Sequence, residues 1–170
     1  MRLSFVGYAT VGTFAILSIL VAMAVLFNWR RIRGSQQPSY EAAVAAIDKM
    51  KDWGIWMAGI STGAIAAIGA LLPKTGWIDD WHRIAAILAV MLFGASILVS
   101  TWLMATLPSL HLRLHKSESP ENDIYEQKIF WLVNVRVGLL AALQHLFFTL
   151  AIVAFAFFLY RTILAAGSRP

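Results

Sequence analysis

Gln144 and His145 stand side by side within an apolar stretch, seven and eight residues inside its expected entrance at Val137. At 1.5 Å rise per residue, His145 sits roughly 12 Å into a helix surrounded by hydrocarbon. An amide or imidazole at that depth needs a partner. Gly138, Ala142, His145 and Thr149 recur at three- and four-residue spacing, which makes a small and polar stripe on one face. Such a stripe is expected to meet other helices rather than lipid. Two chemistries use groups of this kind, a proton or ion path and interhelical hydrogen bonding. A path needs ionisable groups at several depths, and no other apolar stretch supplies one. Helix-to-helix bonding, at ~0.6 and up to about 2 kcal/mol each, is therefore the expected role.

The remaining histidines suggest less. Haem between facing helices needs two axial histidines at matching depth. His82, His111 and His115 do not match the depth of His145, so no cofactor is expected and haem is disfavoured. His111 and His115 are four residues apart and suit metal ligation on a helix, but LHLRLHK reads more simply as an interfacial amphipathic turn. Asp79, Asp80 and His82 are expected in a wetted loop rather than a divalent site. Arg136, with Asn134 nearby, marks a membrane entrance, where it would snorkel to lipid phosphate or pair with a carboxylate such as Asp52. Cysteine is absent, which removes disulfides, thiolate metal sites and cysteine nucleophiles. No serine–histidine–acid set, phosphate-cradling glycine loop or HExxH occurs, so an enzyme is disfavoured.

The elements that position these residues follow from composition. Of 170 residues, 59% are hydrophobic and 14% charged, against roughly 25% charged in soluble domains. Mean hydropathy is +0.70. Such a chain needs the bilayer as solvent. The net charge of +5 suggests nucleic acid at first sight, yet the basic residues flank apolar stretches, which fits anionic headgroups instead.

Four spans are expected, at about 3–27, 53–72, 84–107 and 137–160, in an all-α antiparallel bundle forming one domain over 1–170. Ala22-Met23-Ala24 resembles a cleavage site, but the long apolar run and the following Arg30, Arg31 and Arg33 favour a retained span. These three arginines and Arg136 are the expected lipid or partner contacts. Ser39 is placed to cap a helix that continues through Trp53, and a second helix restarts near Asp123. The second and fourth helices thus gain extramembrane extensions at about 39–52 and 124–136. Loops 28–52 and 108–136 carry nine of the fourteen Lys and Arg residues, which predicts them cytoplasmic and both termini outside.

The second span carries Gly59, Gly63 and Ala67 at four-residue spacing, a surface that lets another helix approach closely. Its expected neighbour is the Gly138–Thr149 stripe, with His145 facing the interior. The chain resembles small bacterial four-span inner-membrane proteins in class alone. Its expected function is helix association, as a homo-oligomer or as an accessory subunit of a larger membrane complex. An ion channel or small transporter using His145 and Gln144 is the alternative, and a haem or quinone redox protein the third.

Overall fold

The computed structural model describes residues 39–75, 78–114, 123–125, 127–129 and 135–167. Three long helices dominate it: α1 (Tyr40–Thr75), α2 (Asp80–His111) and α3 (Val137–Gly167). All three are long and apolar enough to cross a membrane. Their outer faces are apolar as well, with Leu98 72% and Met91 68% exposed. Water would not tolerate that surface, and lipid does. The expected span at 3–27 lies outside the described residues, as do Arg30, Arg31 and Arg33.

α1 begins where the sequence indicates. The Ser39 hydroxyl accepts a hydrogen bond from the Ala42 amide at 3.2 Å, and its carbonyl accepts from Ala43 at 3.0 Å. Glu41 adds a negative charge to the first turn. α1 then runs 36 residues, about 54 Å, with Pro73 confined to its last turns. α2 starts at an Asp79 cap, whose carboxylate accepts from the His82 amide at 2.7 Å. It passes Pro108 and ends at His111, several residues beyond the expected stop.

Two expectations at this end of the molecule are corrected. Where a helical extension over 124–136 is expected, the described residues hold two short strands, β1 (Lys128–Ile129) and β2 (Val135–Arg136), paired antiparallel. The run KIFWLVNVR is rich in β-branched and aromatic residues, which favour extended backbone over helix. α3 starts directly after β2. Its first amides are satisfied by the turn before it: Val137 donates to the Gln127 carbonyl and Gly138 to that of Tyr125, both at 3.0 Å. The long helices extended at this end are consequently α1 and α2, rather than α1 and the fourth apolar stretch.

α2 lies between α1 and α3 and packs extensively on both, while α1 and α3 meet only locally. Tyr40 lies beside His111 and Gly54 beside Met104, so α1 and α2 are antiparallel. His82 stacks on Phe158 and Phe93 meets Phe148, so α2 and α3 are antiparallel too.

The buried line of α1 reads Ala43, Ile47, Met50, Gly54, Met57, Ser61, Ala64, Ile68. Its alternating four- and three-residue steps make a seven-residue repeat, the pattern of helices packed with knobs in holes. α2 answers with Ala89, Phe93, Ser96, Ser100, Leu103, Leu107 and Leu110. Two clusters result. One gathers Ala43, Ile47, Leu107, Leu110, Ile124 and Val137 at the Tyr40 end. The other gathers Met57, Ile68, Ala89, Phe93, Phe148 and Phe158 along the rest of the core.

Candidate functional site

Two pairs of polar groups inside this apolar core join α2 to α3. Gln144 is 1% exposed and its side-chain amide donates to the Ser100 hydroxyl, itself 1% exposed. The buried line of α3 runs Val137, Leu140, Gln144, Phe148, Ala151, Phe158 and Thr162. Gln144 therefore occupies the seam. His145 is one position to the side, half-buried, with its Nδ1–H donating to the Ala141 carbonyl of its own helix at 2.7 Å. Its ring lies 6.1 Å from that of Trp53 on α1. Of the expected stripe, Gly138 is buried while Ala142, His145 and Thr149 are half-buried flanks.

A second polar contact lies toward the other end of the same interface. His82, expected in a wetted loop, is 0% exposed. Its Nε2 lies 3.0 Å from the Thr162 hydroxyl, which donates to the Phe158 carbonyl at 3.0 Å. With the hydroxyl proton committed there, Nε2–H is the donor and Thr162 Oγ1 the acceptor. The ring also stacks on Phe158, centroids 4.6 Å apart and planes 22° from parallel. Next to it, Arg161 forms an ion pair with Asp79, the capping residue of α2. Asp79 thus closes the helix start and holds the neighbouring helix end. Between the two contacts runs an aromatic ladder, Phe148–Phe93–Phe155–Phe158, with centroids 6.2 to 6.4 Å apart.

The sequence signal for His82 lay in its phase. It precedes Ala86, Ala89 and Phe93 by four, seven and eleven residues, all on one helical face, and Asp79 three residues earlier is a helix cap.

The expected contact between Gly59, Gly63 and the α3 stripe does not form. A methyl group added at Gly59 or at Gly63 would meet none of the described residues within 4 Å. Both face outward, with Ala67 half-buried beside them. The close approach is made instead by Gly54, where an added Cβ would lie 2.5 Å from Met104 Cε and 3.9 Å from Gln144 Nε2. The seven-residue repeat decides this, because Gly54, Met57, Ser61 and Ala64 are in phase with the seam and Gly59 and Gly63 are not.

His111 ends α2, exposed, with its ring 6.5 Å from Tyr40; His115 lies outside the described residues. No group of three or more metal-ligating side chains occurs among the described residues. Arg136 is exposed on β2, opposite Lys128. The arrangement as a whole locks helices together: two buried interhelical hydrogen bonds, one ion pair and an aromatic ladder. No family model matches this chain, and neither a curated protein nor a solved structure is found similar to it.

Proposed function

We propose that this is a non-enzymatic multi-pass membrane protein that works by association of helices in the bilayer. It would act as a homo-oligomer or as an accessory subunit of a larger membrane complex. The observation that carries this reading is the outer face of α1. Gly59 and Gly63 lie one turn apart with none of the described residues before them, while the described core is built on the other side of the helix. Glycine costs helix stability and gains nothing from contact with lipid tails. It is useful where another backbone comes close. The charge distribution supports a bacterial inner membrane, with loops 28–52 and 108–136 cytoplasmic and both termini outside.

A channel built on Gln144 and His145 receives less support, because the Gln144 amide is engaged with Ser100 and the His145 ring with its own helix.

Gly59→Leu and Gly63→Leu test the association reading. Each should leave the fold intact, since neither position touches the described core. Each should shift the purified protein to lower mass in mild detergent, or strip it of its co-purifying subunits. Unchanged mass and composition in the double variant sink the proposal.

A further inference from the structure

Ser61 on α1 and Ser96 on α2 carry buried hydroxyls with no hydrogen-bond partner, and the two residues are 0% and 1% exposed. Other hydroxyls on the same helices behave differently. Thr62 turns back to donate to the Ala58 carbonyl and Thr101 to that of Ile97, both at 2.9 Å. Ser61 and Ser96 make no such bond, although a hydroxyl left unpaired in an apolar core is strongly disfavoured.

The two serines share a level. Gly54 meets Met104. Two turns further along α1 stands Ser61; two turns back along antiparallel α2 stands Ile97, next to Ser96 on the seam. Ser96 is also one turn from Ser100, which receives the Gln144 amide. Gly54, Ser61, Ser96 and Ser100 are small side chains at positions that a dry seam fills with leucine or isoleucine.

We propose that Ser61 and Ser96 hold a water molecule between α1 and α2, one turn from the Gln144–Ser100 pair. Water is favoured over a cation by charge. None of the buried residues that neighbour this level on the three seams is ionisable. An ion would bring uncompensated charge into the core, whereas water supplies both donors and acceptors. The water gives α1 a polar tie to α2, matching the two buried hydrogen bonds that join α2 to α3. This inference is independent of the association reading.

The test uses the full chain in bilayer nanodiscs, with infrared spectra recorded in ordinary and oxygen-18 water. The expected result is an O–H stretching band that shifts with the isotope and is lost in both Ser61→Ala and Ser96→Ala. Each variant should also favour unfolding by about 3- to 20-fold, the range of single interhelical hydrogen bonds in membranes. The double variant should be no worse than the weaker single one, because either change empties the site. Additive effects, neutral or stabilising single changes, or an isotope-sensitive band that survives both substitutions overturn the proposal. Should an alanine variant fail to fold, Ser61→Cys and Ser96→Cys keep the side-chain shape with a weakly hydrogen-bonding thiol and face the same spectral criterion.

Discussion

The side-chain amide of Gln144 donates to the hydroxyl of Ser100 across the α2–α3 seam, with both residues buried. The His82–Thr162 pair stands eighteen residues away along each helix, five full turns, so both contacts lie on one face. Their separation along the axis is about 27 Å, close to the ~30 Å of a hydrocarbon core. Equal spacing on antiparallel helices fixes a single register. A slip of one turn would break both contacts and the aromatic ladder between them.

Replacing Gln144 with Leu should destabilise the protein by about 1 kcal/mol, as should Ser100→Ala. The double variant should cost little more than either single one. Reversible unfolding in detergent measures the coupling, and independent, additive effects would show that the pair does not act as a unit.

His82 offers a separable case. His82→Phe keeps a ring against Phe158 but loses the donor to Thr162, and should cost about 1 kcal/mol. His82→Ala removes stacking and volume too, and should cost about 3 kcal/mol or more. Equal losses in the two variants would mean that the ring's packing adds nothing.

Gly54 is a glycine whose added Cβ would meet neighbouring side chains, those of Met104 and Gln144. Gly54→Ala meets the far end of Met104, a flexible group that can swing aside, so it should change stability by less than about 1 kcal/mol. Gly54→Leu has no such escape and should displace Gln144, costing about 3 kcal/mol. The same leucine at Gly59 should leave the unfolding midpoint of the isolated chain unchanged, and that contrast is the check.

Tyr125, in the turn before α3, has its phenol pKa raised above the ordinary value near 10, first by burial and then by the Asp123 carboxylate. The folded state holds the neutral phenol, so the unfolded chain ionises first. The stabilisation is complete below about pH 10 and is lost as pH rises through the folded value. Thermal midpoints should fall more steeply above pH 10 in the native protein than in Tyr125→Phe, and parallel curves would refute the assignment.

The three long apolar helices were legible because a membrane-length run with few charges has few alternatives. Ser39 as a cap was legible from its position after Pro38. The phase of each helix was less so. Small and polar residues drew attention to Gly59, Gly63 and His145, yet the seam follows the repeat through Gly54, Ser61 and Gln144. Lipid also accepts apolar residues on the outside, so hydrophobicity alone does not mark the inner face. The strands around 128–136 were missed because Val137 continues directly into a helix with no breaker between them. His82 was missed because flanking tryptophans and aspartates gave its surroundings a loop-like composition.

α1 has a mechanical consequence. It runs from Tyr40 to Thr75 without a joint, its proline confined to the far turns, and its buried line crosses from one core cluster into the other. A rod of about 54 Å pivoting at one end carries the other sideways by about 1 Å for each degree of tilt. The face bearing Gly59 and Gly63 and the end bearing Tyr40 therefore belong to a single lever. A tilt imposed at the first would displace the second, together with the Leu107, Leu110 and Ile124 side chains of its core cluster.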